Sequence, residues 1–203
     1  PDPESVDQMI AALTGPDRIA AQFPIEGTTG YGETMERLRA VRKARRNGTA
    51  TDADLRAANE AHQAEGRARE QSDFAVTLAR AIAAPDSFRE RLTLFWSDHF
   101  TVEEKAFVSR GRYLGFTEDA IRPHVSGKFG EMLKAAVLHP LMVQYLDQNA
   151  SVGPNSPYAG KQPNAELGLN ENLAREVLEL HTLGVDSTYT QTDVREFAEL
   201  LAG

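Results

Sequence analysis

Apolar residues along the 203-residue chain recur mostly at three- and four-residue intervals, and no alternating run is long enough for a convincing strand. The spacing predicts an all-α fold: an irregular multi-helix domain of about eight to ten helices with one long surface loop. The first helix is expected over residues 3–14, stopped by Gly15-Pro16, with a short apolar segment leading to a loop at 27–32. A second helix covers 33–46 and ends at Asn47-Gly48. Thr51 with Asp54 three positions on has the pattern of a capping box. From 52 to 84 there is no proline and only Gly66, so one long helix and two helices broken near Gly66 both fit.

Beyond Pro85 the pattern restarts at 88–100, where Leu92, Phe95, Trp96, His99 and Phe100 share helical spacing and predict a core face. Further helices are expected at 117–123, 130–138 and 140–147, the last opening with Pro140, whose missing N–H is harmless in a first turn. Residues 149–169 carry Pro154, Pro157 and Pro163 with no sustained periodicity, and so predict the long loop. Connections of that length are uncommon in compact domains unless they serve a function. The clearest helix is 170–183: Leu173, Val177, Leu180 and His181 fall on one side with Asn170 and Ala174, while Glu171, Arg175 and Glu179 form an i, i+4 ladder of opposite charge. Gly184 stops it, and a last helix follows Thr190, with Asp193 placed to complete its cap.

Composition narrows the chemistry. Without cysteine there is no disulfide framework, thiolate metal site or cysteine nucleophile. The 30 acidic against 22 basic residues give a net charge of -8, which disfavours nucleic acid as a partner. The one cationic concentration is Arg37, Arg39, Arg42, Lys43, Arg45 and Arg46. It reads first as a solvated helix face and second as a contact for phosphate or an anionic membrane. No apolar run reaches the ~18 residues that would span a bilayer, so no transmembrane segment is expected. The best run, 74–84, is interrupted by Arg80.

Four segments together resemble a known family: Leu92-Thr93-Leu94-Phe95-Trp96-Ser97-Asp98-His99-Phe100; His139-Pro140-Leu141-Met142; Asn170-Glu171-Asn172-Leu173-Ala174-Arg175-Glu176; and Glu179-Leu180-His181-Thr182-Leu183-Gly184-Val185 followed by Tyr189-Thr190-Gln191-Thr192-Asp193-Val194. Their order and spacing resemble the bacterial domain-of-unknown-function family 1800. The resemblance implies that residues 1–203 are a single helical domain forming the N-terminal part of a longer protein. It also implies export, to the periplasm or beyond, and it supplies no catalytic residues.

Three histidines lie in those segments, His99, His139 and His181, each with a carboxylate close in sequence: Asp98, Asp147, and Glu176 or Glu179. Imidazole and carboxylate together can hold a divalent metal, but no His-Glu-x-x-His pair occurs, and satisfied core histidines are the leading expectation. Asn170, Glu171, Asn172 and Arg175 form a polar cluster at the end of the long loop, where a helix N-terminus could receive an anion. A calcium loop at 186–197 fails, because its sixth position is Gln191 and its twelfth Phe197. No Gly-rich phosphate loop, nucleophile elbow or dinucleotide fingerprint occurs. The expectation is therefore a helical binding module of an exported protein, with a protein partner at loop 149–169 and no cofactor. The alternative is a metal-assisted hydrolase using His99, His139, His181 and Glu176 with a divalent ion.

Overall fold

Several helices begin where a short polar side chain satisfies a free amide of the first turn. The computed structural model describes residues 6–84, 87–103, 105, 109–161 and 168–202. Helix α1 (Val6–Thr14) ends at Gly15. The stretch expected to be an apolar connector instead forms a short helix, α2 (Arg18–Gln22), because Asp17 accepts the Ala20 N–H at 3.0 Å. Helix α3 (Tyr31–Arg46) starts two residues earlier than the pattern suggests, behind Gly30 at φ +79°.

Helix α4 (Asp52–Ala83) is one unbroken helix of 32 residues, about 48 Å long. Thr51 and Asp54 cap it reciprocally, as the sequence leads one to expect. Gly66 does not break it; it admits a crossing chain. A Cβ there would overlap the Arg110 side chain and lie 3.1 Å from the Arg110 carbonyl oxygen, and Gly111, at φ +70°, packs against the Gly66 backbone so closely that a Cβ on it would overlap the Gly66 carbonyl oxygen. The buried positions of α4 are polar or small: His62, Gly66, Asp73 and Arg80. Its apolar Phe74, Leu78 and Ile82 are exposed.

Helix α5 (Ser87–His99) bears out most of the expected core face, since Phe100 is fully enclosed, Trp96 packs against the core and Leu92 and His99 are half-buried, but the helix is rotated so that Arg89, Glu90 and Thr93 are its buried residues and Phe95 is exposed. The rotation follows from the ion pairs that Arg89 and Glu90 make inside the molecule. A continuous helical run then covers 113–124 with changing winding: α6 (Tyr113–Phe116), a π-helical turn (Thr117–Ile121) and a 3-10 turn (Arg122–His124). Helices α7 (Phe129–Val137) and α8 (Pro140–Tyr145) follow.

The expected loop 149–169 is partly structured, with a 3-10 turn (Gln148–Ala150) and helix α9 (Pro157–Lys161); residues 162–167 lie outside the described residues. The helix expected at 170–183 divides into α10 (Asn172–Glu176) and a second π-helical turn (Val177–Thr182). Helix α11 (Gln191–Ala202) has the Thr190–Asp193 cap. The fold is all-α, and no strand occurs among the described residues. Phe100, Phe116, Ile121, Met132, Met142, Leu173 and Val177 lie in one core under α7 and α8; Ala174, Val194 and Ala198 join α10 to α11.

Candidate functional site

The two π turns carry the residues of most chemical interest, one holding Glu118 and Asp119, the other His181. Wide turns inside helices are frequent at functional sites, since they re-aim side chains that a regular helix would stack. His99, at the end of α5, meets His181 with ring centroids 5.8 Å apart, and His99 Nε2 lies 3.2 Å from the His181 carbonyl oxygen. The edge of Trp96 and the rings of Phe100 and Phe129 enclose the pair. Burial pushes the His181 pKa down to about 4, with the nearby His99 adding to the effect. Its Nδ1 is buried and has no hydrogen-bond partner among the described residues.

His139 stands elsewhere, edge-on to Phe116 at 5.0 Å. As N-cap of α8 its Nδ1 accepts the Leu141 N–H at 3.2 Å, so the ring proton sits on Nε2. That Nε2 is 3.2 Å from Thr28 Oγ1 and 3.5 Å from Asp119 Oδ2. Thr28 in turn donates its hydroxyl at 2.5 Å and its backbone N–H at 2.7 Å to Asp119 Oδ2. Three residues of the kind found in nucleophilic triads therefore meet with protons running the wrong way for such chemistry. His139 donates instead of accepting, and the threonine proton already points at the aspartate. The arrangement clamps the 27–32 loop onto the 113–124 run. Gly27 completes it, because a Cβ there would overlap the Asp119 carboxylate. Burial depresses the His139 pKa, with Asp119 partly opposing the shift.

Two of the carboxylates near the histidines in sequence have other partners. Asp147 pairs with Lys105, and Glu179 pairs with Arg175 at 3.1 Å. Glu176 is half-buried on α10. Among the described residues no group of three His, Asp or Glu side chains converges on a position for a metal ion.

The polar cluster at the end of the loop closes its neck. Asn170 donates its backbone N–H to Ser151 Oγ at 3.0 Å and its side-chain amide to the Leu146 carbonyl at 2.8 Å, and its Oδ1 accepts the Asn172 N–H at 2.9 Å. Val152 N–H bonds the Gly168 carbonyl at 3.2 Å. Arg175 donates to Glu171, Glu179 and Gln191, and Gln191 also donates to Glu171. The charge ladder expected from sequence is present and extends to α11.

A feature that sequence reasoning missed lies deeper. Arg122 holds Glu90 in a two-pronged pair at 2.7 and 2.8 Å and also donates to Asp17 at 2.9 Å and Glu118 at 3.2 Å. Arg80, 1% exposed, pairs with Glu118 at 2.6 and 3.1 Å and donates to the Phe23 carbonyl at 2.7 Å. Arg89 donates to the carbonyls of Ala12, Leu13 and Gly15. Burial opposes ionisation of Asp17, but the Ala20 N–H and Arg122 outweigh it and hold its pKa below the usual range. The one signal in the sequence was Arg80 interrupting an apolar run.

Among comparisons with known proteins, the model of a family described as protein of unknown function (DUF1800) matches residues 1–203. No curated protein and no solved structure matches the chain.

Proposed function

The chain belongs to the DUF1800 family over its whole length, and we propose that it works as a helical binding module of an exported protein, presenting loop 149–169 to a protein partner. The observation that carries the reading is the closed neck. Three hydrogen bonds, from Val152 N–H to the Gly168 carbonyl and from Asn170 to Ser151 Oγ and the Leu146 carbonyl, join the two ends of the loop, and Tyr158 is exposed on α9. A loop whose ends are fixed loses less conformational entropy when it binds than a free one. Asn170, Glu171, Asn172 and Arg175 support the neck in this reading. Export is what the family resemblance implies.

The test is a photo-reactive residue at Tyr158, compared with one at Ile82, which is still more open to solvent on α4. A discrete crosslinked species at 158 that is absent at 82 is the expected result, and it should disappear in Asn170→Ala, which opens the neck. Identical crosslinking at both positions would refute the proposal. The alternative, a metal-assisted hydrolase, draws on the contact between His99 and His181 and on the unpartnered His181 Nδ1. Zinc held in equimolar amount by the purified protein and lost in His181→Leu would favour that reading.

A further inference from the structure

A cleft of about 300 Å³ opens where the 27–32 loop meets the first turn of α3, and its floor is Arg112. Arg112 as a whole is 5% exposed. Its contacts are neutral: Nη1 donates to the Thr29 carbonyl at 3.3 Å and Nη2 to Thr34 Oγ1 at 3.2 Å. Of the other charges of the cleft, Arg69 pairs with Glu26 at 2.7 Å and Arg37 with Glu65 at 3.0 Å, which leaves Glu33 without an ion-pair partner among the described residues. Among the described residues no carboxylate stands within ion-pair distance of Arg112. Burial and the neighbouring Arg69 lower its pKa, and Glu26 and Glu65 only partly offset them.

A buried cation without a counter-ion is costly unless something supplies the opposite charge. The cleft has a second positive feature. Helix α3 runs for 16 residues, and its N-cap is Gly30, which offers no side chain to its first amides. Tyr31 N–H bonds the Thr28 carbonyl, but the amides of Gly32 and Glu33 have no acceptor within the helix. A side chain at Gly30 or Gly32 would meet nothing within 4 Å, so this end of the cleft is open. We propose that the cleft binds a small oxyanion, a carboxylate or a phosphate group, between the Arg112 guanidinium and the first turn of α3. The planar fork of Arg112 retains three N–H donors beyond its two present bonds, which suits an oxyanion. The volume admits a ligand of small-metabolite size. Glu33, exposed in the same first turn, is the residue that opposes binding.

The test follows backbone amide shifts by NMR while the whole chain is titrated, at low ionic strength, with inorganic phosphate and separately with acetate. Saturable shifts confined to residues 28–34 and 112 are expected with at least one of the two anions, and the stronger one identifies the ligand's headgroup. Glu33→Gln, an exposed change, should tighten binding by about threefold, the effect of removing one nearby surface charge. Arg112→Lys should weaken it by about tenfold, because an ammonium cannot reproduce the two-pronged contact. Should Arg112→Lys fail to fold, Glu33→Gln decides alone. Shifts spread over the surface with both anions, no saturation, or unchanged affinity in Glu33→Gln would overturn the proposal.

Discussion

At the residue scale, His181 is where burial alters chemistry most. In the unfolded chain a histidine takes up its proton near pH 6.5, whereas the folded protein resists protonation until about pH 4. Between those values the unfolded state binds the extra proton, so stability is full above pH 6.5 and declines as pH falls towards 4. The shift corresponds to a loss on the order of 3 kcal/mol across that window. His139, also depressed by burial, acts in the same direction. Asp17 acts lower: its folded pKa lies below 3.8, so its stabilisation persists until pH falls through that depressed value. Urea unfolding of the protein and of His181→Leu at pH 7.5 and 5 separates these effects. The variant should lose much less stability between the two pH values, and an equal loss would place the dependence elsewhere. The sequence put His181 on an apolar helix side, which was enough to expect a buried ring. It could not show Thr28 and Asp119 at His139, since Asp119 is brought to His139 by tertiary packing from 20 positions away.

At the scale of elements, what was legible is what is decided within one turn. The caps at Thr51–Asp54 and Thr190–Asp193 need only their own four residues, and both form. Thr51→Ala removes the side chain that accepts the Asp54 N–H, and should cost about 1 kcal/mol in a thermal melt, with the first turn of α4 losing amide protection first. Unchanged protection at residues 53–55 would mean that α3 packing alone holds the turn. The winding changes at 117–121 and 177–182 were not legible, because nothing in the local pattern of Thr117–Ile121 or Val177–Thr182 distinguishes a wide turn from an ordinary one. Helix α4 departs from the usual pattern for a different reason. An apolar stripe normally marks the buried side of a helix, yet here Phe74, Leu78 and Ile82 face out while Asp73 and Arg80 face in. Burying charge is the exception that needs a partner set, and for Arg80 those partners are Glu118 and the Phe23 carbonyl, far along the chain.

For the whole molecule, that partner set decides how the N-terminal helices attach to the rest. Asp17 precedes α2, Arg80 lies on α4, Arg89 and Glu90 on α5, and Glu118 and Arg122 on the 113–124 run. Three cations and three carboxylates balance in a region that offers little water. Removing one member leaves an uncompensated charge, a change that typically costs about 3–5 kcal/mol. Arg122→Met should therefore be severely destabilising, since Glu90 loses both of its short bonds and Asp17 its strongest ion pair. If the cost arises from charge imbalance, removing Glu90 as well restores neutrality among the remaining four groups. The double variant Glu90→Met with Arg122→Met should then be more stable than Arg122→Met alone, although it lacks more of the native contacts. If each residue instead contributes through its own packing, the two losses should add and the double variant should be the least stable of the set. Denaturant midpoints of the three variants and the parent chain distinguish the two outcomes, and additive losses would remove charge balance as the reason these helices stay joined.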